Sequence, residues 1–183
     1  MSRMDATAPV FTPPMKRSRL VWTLALFVGL VAADHVTKLI AVDTLAGGPP
    51  ADVISGVFDL SFHQNFGVAF NLERVLPEGA RTPAVFVISA LALTVLGIAW
   101  WRRRHELSAR TVAYAVIASG AVGNLVDRLI RGYVVDFLHL HGWPVFNVAD
   151  IAIVAGVVLL VIVSFREARA EAREARAARA QAP

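Results

Sequence analysis

Three long apolar stretches of this sequence each carry a group of polar side chains at helical spacing. The groups are Asp34 and Lys38 at i and i+4, Asn124, Asp127 and Arg128 at i, i+3 and i+4, and Asn147 and Asp150 at i and i+3. Side chains at these spacings share one face of an α-helix. Charged groups inside a membrane are costly, so they usually face a shared interior and mark function. The pattern therefore predicts one polar cluster, which is either a functional site or a set of bridges between helices.

The residue types in this cluster favour acid–base chemistry by carboxylates. Two neighbouring carboxylates separate their pKa values, so that one is ionised while the other stays protonated. The ionised carboxylate can draw a proton from water, and the protonated one can donate to the oxygen of a scissile carbonyl. The inventory predicts peptide hydrolysis by a coupled pair of aspartates, with no cofactor and no covalent intermediate.

Other catalytic chemistries find less support in the sequence. The chain has no cysteine, which excludes thiol catalysis, disulfides and Cys-based zinc sites. His139 and His141 form an H-x-H pattern, but no third ligand follows at metal-binding spacing, so we expect no metal site. Ser119 is the only serine near the polar cluster, and no histidine lies in the apolar part of its helix.

The composition is that of an integral membrane protein. Of the 183 residues, 56% are hydrophobic and only 17% are charged. The net charge is +4, but the basic residues flank apolar runs, which indicates membrane topology rather than nucleic-acid binding. We predict one catalytic domain over residues 20–165, a disordered cytoplasmic lead-in over 1–19 and a charged helical cytoplasmic tail over 166–183.

Four apolar stretches are long enough to span a bilayer. They run from Leu20 to about Val42, from Pro83 to Trp101, from Thr111 to Ile130 and from Val145 to Phe165. At about 1.5 Å per residue, each can cross a hydrocarbon core of about 30 Å. The predicted fold class is an α-helical polytopic membrane protein with four transmembrane helices.

Loop charges orient these spans. Lys plus Arg number four in residues 1–19, four in 102–110 and five in 166–179, but only two in 43–82. The positive-inside rule then places both termini in the cytoplasm and the segments 43–82 and 131–144 outside. With this topology Asp34, Asn124 and Asp127 lie about 20 to 24 Å along outward-running helices, close to the outer face.

Two segments outside the spans have their own patterns. Apolar and polar residues alternate through 58–63, which predicts a small extracytoplasmic β-sheet that rests on the helix ends. The tail is Ala-rich and helix-forming, with its Glu and Arg residues on opposite faces. We interpret the tail as a solvated extension, with attraction of its Arg face to anionic lipid as the alternative.

Five short motifs follow one another in an order known from one family of membrane proteases. They are D-H-V-T-K at 34–38, Q-N-F-G-V-A-F at 64–70, G-N-L-V-D-R at 123–128, V-V-D-F at 134–137 and F-N-V-A-D at 146–150. In these motifs, which cover most of residues 34–153, the chain resembles bacterial lipoprotein signal peptidase (signal peptidase II). Val68 departs from the family pattern, where Ala is common.

The resemblance implies an enzyme of the bacterial inner membrane whose active site lies near the extracytoplasmic face. Its substrates would be prolipoproteins that carry diacylglyceryl-cysteine, cleaved just before that cysteine. The family's catalytic aspartates match Asp136 and Asp150. Its other motif positions match residues that we expect to bind substrate or to support the site: Asp34, Lys38, Asn65, Gly67, Asn124, Arg128 and Asn147. Membrane lipids are the other expected partners, nucleic acid is not, and we expect a monomer.

Several of these assignments have simpler alternatives. Asp127 is a rival for the catalytic pair, although we assign it a supporting role beside Arg128 or Arg131. Arg128 could instead snorkel outward, and Asn65 and Gly67 could form only a strand bulge or turn. Purely structural roles, as helix bridges or as an ion pair, are also open for four residues: Asn124, Asn147, Asp34 and Lys38.

Functions outside the protease class also fit part of the pattern. Membrane carboxylates serve proton relays, so a small proton-coupled transporter is the main alternative. Its weakness is that the polar groups lie at one depth near one surface, with no chain of them that crosses to the inner side. A structural scaffold would not need five polar motifs.

Overall fold

The computed structural model describes residues 16–67, 77–104, 106 and 108–180. Its elements are, in order, α1 (Lys16–Leu45), β1 (Ala51–Ile54), β2 (Phe58–Asn65), α2 (Glu78–Arg103), α3 (Ala109–Arg131), β3 (Val134–Leu140) and α4 (Val148–Ala180). Most of the predicted lead-in, the end of the tail and Val68 lie outside the described residues.

Four helices in the described part of the chain are long and apolar enough to cross a membrane. They cover Leu20–Leu45, Pro83–Arg103, Ala109–Arg131 and Val148–Ala180. Large apolar side chains on them, such as Trp22, Val95 and Ile162, are exposed. Such surfaces suit contact with lipid tails, because lipid is as apolar as the side chains themselves. The predicted fold class, with four membrane-spanning helices and a small sheet, is confirmed.

The helix α3 lies at the centre and packs against the other three helices. Glycine allows its close approach to α4: a Cβ at Gly120 would lie 2.2 Å from the backbone oxygen of Ala149, and one at Gly156 would lie 2.6 Å from the Ile117 side chain. Small residues at such crossings let membrane helices approach backbone to backbone. This approach brings the C-terminal half of α3 against the start of α4.

The three strands form one antiparallel sheet in the order β1-β2-β3. Leu60 pairs with Leu138 and His63 with Asp136, so β2 contains an extra residue between these pairs, a β-bulge. A buried cluster of Ala41, Val135 and Phe137 joins the sheet to the last turns of α1. The sheet is thereby fixed at the helix ends that carry the polar residues.

The sequence pattern predicts no secondary structure for the segment 131–144 between the third and fourth spans. In the structure this segment contains the strand β3 (Val134–Leu140), which pairs with β2. Residues 134–137 are all buried. Because a strand buried on both faces has no alternation of polar and apolar residues, the period-two signal is missing. Asp136 therefore lies on a buried strand that is paired with β2.

The helix α4 continues without a break from its apolar part into the charged tail as far as Ala180. Near the start of α3, Arg110 contacts Ser164 at 3.3 Å and forms an ion pair with Glu167. This pair fastens the first turn of the tail to the neighbouring helix. The tail is thus helical, as predicted, through its described residues.

Candidate active site

A fully buried lysine organises the polar cluster between the helices. The Nζ atom of Lys38 lies 2.9 Å from Asp34 Oδ2, 3.0 Å from Asp127 Oδ2 and 2.9 Å from Asn124 Oδ1. The contacts with the two aspartates are ion pairs, and the contact with Asn124 is a hydrogen bond. Lys38 therefore joins α1 to α3 with its charge compensated.

The two carboxylates beside Lys38 have further cationic or backbone partners. Asp127 forms an ion pair with Arg131 and accepts from the backbone N–H of Val135 at 3.1 Å, which ties the end of α3 to the start of β3. Asp34 accepts from the backbone N–H of Ala149 at 2.8 Å. Both aspartates are almost fully buried. Two cations and two anions thus balance within this group.

Contact with Lys38 fixes the orientation of the Asn124 amide. Because its Oδ1 accepts from the ammonium, its Nδ2 must point the other way, and it donates to Asp150 Oδ1 at 2.9 Å. The same Oδ1 also lies 3.1 Å from Asn147 Nδ2. The buried Lys38 therefore determines the orientation of the amide group that donates to Asp150.

Asp150 is held by the cap of α4. Asn147 lies just before the helix rather than in its first turn, and its Oδ1 accepts from the Asp150 N–H at 3.0 Å. In return, Asp150 Oδ2 accepts from the backbone N–H of Asn147 at 3.2 Å. Reciprocal bonds of this kind form a capping box and restrict both side chains. The Asp150 carboxylate is thus fixed by its own helix start and by Asn124.

Asp136 approaches the same cap from β3. Its Oδ1 accepts from Asn147 Nδ2 at 2.7 Å, and its Oδ2 accepts from Asn65 Nδ2 at 2.8 Å. Asn65 is oriented in turn, because its Oδ1 accepts from the Gly67 N–H at 2.8 Å. Burial and, to a smaller extent, the charge of Asp150 raise the pKa of Asp136 to about 6, against the lowering effect of the Asn65 hydrogen bond.

Arg128 connects the helices to the segment that follows β2. It donates to the backbone oxygen of Gly67 at 2.7 Å and to that of Asn124 at 3.3 Å. The guanidinium does not turn outward to the membrane surface, which was the simpler alternative. It lies within electrostatic reach of both Asp136 and Asp150.

The structure brings all ten predicted site residues into one connected layer. Their hydrogen bonds link α1, β2, α3, β3 and the start of α4, and they divide into two sets. Asp34 and Asp127 have cationic partners, whereas amide groups donate to Asp136 and Asp150. Carboxylates held by neutral amides beside one another can exchange a proton and perform general acid–base chemistry.

Two features seen in the structure could not be identified from the sequence. Arg131 completes the charge balance of Asp127, and the sequence offered it only as one of two possible partners. His139 and His141 also gain a third potential metal ligand, because Asp59 on β2 faces them across the sheet. Strand register, which local spacing does not reveal, creates this second cluster.

Comparison with known proteins places the chain in a sequence family. A family model described as Signal peptidase (SPase) II matches residues 26–166. That range includes all five polar motifs and all four spans except the first residues of α1 and the tail.

Curated relatives and solved structures agree with this match. The chain is 39% identical over 166 residues to the lipoprotein signal peptidase of Mycobacterium avium, covering 87% of this chain and 85% of that one. It is 36% identical over 152 residues to that of Geobacter sulfurreducens, covering 81% and 94%. A bacterial membrane enzyme solved by the in meso method at 2.3 Å resolution is similar in fold, with a TM-score of 0.71, 27% identity and coverage of 81% and 90%.

Proposed function

The chain belongs to the signal peptidase II family, and from this premise we propose that it cleaves lipoprotein precursors with Asp136, Asp150 and a water molecule. It is a bacterial membrane protein and a lipoprotein signal peptidase by its relatives. The transporter alternative has no such support. The proposal adds the aspartic mechanism, the residues that perform it and the side of the membrane on which they act.

The observation that carries the proposal is the shared contact with Asn147. This residue donates its side-chain N–H to Asp136 and its backbone N–H to Asp150, so one residue holds both carboxylates. Neither aspartate has a cation within hydrogen-bonding distance among the described residues, whereas Asp127 and Asp34 do. Asp136 and Asp150 are therefore the two aspartates of this group whose hydrogen-bond donors carry no full charge, which suits a pair that exchanges a proton.

The mechanism follows from one proton shared by the pair. Ionised Asp150 takes a proton from water as the water oxygen bonds to the scissile carbonyl carbon, and protonated Asp136 gives its proton to the carbonyl oxygen. The tetrahedral diol then collapses. The C–N bond breaks, Asp150 returns its proton to the leaving amine, and Asp136 regains one from the hydroxyl as the carboxyl product forms. Both residues end as they began.

Asp136 is the member that we assign as the proton carrier. Burial raises its pKa to about 6, and the negative charge of Asp150 acts in the same direction. Asp136 is 2% exposed, whereas Asp150 is partly exposed. A general acid works best when its pKa lies near the working pH, and a buried carboxyl beside an ionised partner meets that condition.

The fold also supports a lipid-modified precursor as the substrate and an active site at the extracytoplasmic face. The aspartates lie where β2 and β3 meet the helix ends, which the positive-inside rule places at the extracytoplasmic face, with both termini cytoplasmic. A prolipoprotein with diacylglyceryl-cysteine would enter from the bilayer with its acyl chains along the apolar helices. The bond before that cysteine would then meet the two carboxylates beneath the sheet. One chain holds every residue of the site, which supports a monomeric enzyme.

The test is cleavage of a diacylated prolipoprotein by purified protein in detergent. We expect Asp136→Asn and Asp150→Asn each to lower kcat by at least about 10³-fold, while thermal midpoints stay near that of the wild type. Asp43→Asn, the same change at an exposed carboxylate on α1, is the matched control and should cleave normally. The same precursor without its lipid measures the need for diacylglyceryl.

Two results would overturn the assignment. One is normal cleavage by both Asp136→Asn and Asp150→Asn. The other is loss of cleavage in a well-folded Asp127→Asn protein while Asp136→Asn stays active, which would transfer the catalytic role to the rival aspartate. Loss of cleavage in Asp43→Asn would show that removal of any carboxylate charge is harmful.

A further inference from the structure

A second group of titratable side chains lies on the sheet, outside the layer that contains the aspartate pair. Asp59 on β2 is the Cα partner of His139 on β3, and His141 follows two residues later. The Nδ1 atom of His139 lies 3.1 Å from both Asp59 oxygens, and the Nε2 atom of His141 lies 2.7 Å from Asp59 Oδ2. Two imidazoles and one carboxylate thus converge on one point.

We propose that Asp59, His139 and His141 form a binding site for a divalent transition-metal ion of the Zn²⁺ type. The three ligand atoms all lie within 4.8 Å of one another. In a tetrahedral zinc site with bonds of about 2.0–2.2 Å, neighbouring ligand atoms are about 3.3 Å apart. The separations of Asp59 Oδ2 from His141 Nε2, 2.7 Å, and from His139 Nδ1, 3.1 Å, would have to open by about 0.6 and 0.2 Å.

The donor set determines which ions the site would select. Two imidazole nitrogens and one carboxylate oxygen suit Zn²⁺ and its transition-metal neighbours, whereas Mg²⁺ and Ca²⁺ prefer oxygen ligands alone. The side chains of His139 and His141 are 33% and 45% exposed, so an ion could reach them from solvent. Three protein ligands leave a fourth position for water.

The surroundings favour a bound cation. On the other side of β2, Asp52 is the Cα partner of Asp59, so two acidic residues lie directly opposite each other on neighbouring strands. Like charges in that arrangement destabilise a sheet, and a divalent ion beside Asp59 would offset their repulsion. The backbone of His141 is also fixed, because its N–H donates to Val57 O at 2.9 Å.

The expected consequence of binding is a clamp between β2 and β3. These strands carry Asn65 and Asp136, which lie on the far side of the β2 bulge from Asp59. An ion bound to both strands would stabilise their register and so the folded protein, because a ligand that binds only the native state raises its stability. The cleavage step itself does not pass through this ion, so the inference stands apart from the proposed mechanism.

The experiment is isothermal titration of the full chain in detergent with ZnCl₂, after any polyhistidine tag and all chelators have been removed. We expect one site per chain, no heat with MgCl₂, and at least tenfold weaker Zn²⁺ binding in Asp59→Asn, His139→Gln and His141→Gln. Matched controls are Asp43→Asn and His35→Gln, which make the same changes on α1 and should bind as the wild type does.

A second measurement covers variants that fold poorly. X-ray absorption of the wild type with one equivalent of Zn²⁺ should show two imidazole ligands, and Zn²⁺ should raise the thermal midpoint of the wild type but not that of His141→Gln. A zinc spectrum without imidazole would overturn the proposal. So would equal Zn²⁺ affinity in the wild type and in the His139→Gln/His141→Gln double variant, which would leave the histidines as simple hydrogen-bond partners of Asp59.

Discussion

Two pairs of aspartates lie in the same polar layer, yet their partners differ in kind. Asp34 and Asp127 contact Lys38, and Asp127 also contacts Arg131, so each carboxylate charge is neutralised by a cation. Asp136 and Asp150 instead accept hydrogen bonds from asparagine amides. Residue type and depth do not separate these two pairs of aspartates. The charge of the groups that contact each carboxylate does separate them.

The difference has a physical basis. A carboxylate paired with a buried cation balances the charge of that cation, and removal of either partner leaves a buried charge uncompensated, which suits a structural role. An amide donor orients a carboxylate without adding a full charge. For Asp136, burial raises the pKa most, the Asn65 hydrogen bond lowers it, and the charge of Asp150 raises it. Lys38 also orients the donor to Asp150, since it determines which way the Asn124 amide points.

The largest expected effect comes from removal of the buried cation. Lys38→Met leaves Asp34 and Asp127 with one cation between them, and we expect a loss of about 3–5 kcal/mol in the free energy of unfolding, measured as a lower thermal midpoint in detergent. The double variant Asp34→Asn/Lys38→Met keeps a balanced Asp127–Arg131 pair and should be more stable than Lys38→Met alone. Equal stability of the two variants would contradict the charge-balance argument.

A smaller loss of stability is expected when a methyl group is added beside Asp34. A Cβ at Gly123 would lie 2.4 Å from Asp34 Oδ2 and 3.3 Å from the Ala149 Cβ, so Gly123→Ala should cost about 1–3 kcal/mol through displacement of these groups. The control is Gly97→Ala on α2, where a Cβ meets nothing within 4 Å and helix propensity should make the change neutral or slightly stabilising. Similar thermal midpoints for both variants would show that Asp34 and Ala149 can move away from the added methyl group without loss of stability.

The smallest expected effect is a shift in the pH dependence of activity when an amide donor to Asp136 is removed. Activity should fall as pH rises through the pKa of Asp136, about 6, because the shared proton is lost. The Asn65 hydrogen bond favours the ionised form, so Asn65→Ala should raise that pKa by about half to one unit and move the alkaline limb of kcat/KM to higher pH. Gln64→Ala, at the exposed neighbouring amide, is the control. A limb that moves to lower pH would reverse the assignment of Asn65.

Much of the fold was predictable because its signals are local. Hydropathy over about 20 residues identified the four spans, and alternation through 58–63 identified β2. The strand β3 gave no such signal, since Val134 and Val135 are both buried and its pairing partner lies some 70 residues away. Helical spacing grouped the polar residues within each helix, but it did not distinguish Asp127 from Asp136 by role.

The sequence by itself predicted ten residues for the site, from the helical spacing of polar side chains in apolar spans and from the motifs shared with the family. Tertiary structure decided how these residues pair. The bonds from Asn65 to Asp136, from Lys38 to Asn124 and from Ala149 to Asp34 join positions 71, 86 and 115 residues apart. Partner choice, amide orientation and the Asp59–His139–His141 cluster arise only from such distant contacts, because hydropathy and periodicity report on neighbours along the chain and carry no information about register between strands or helices.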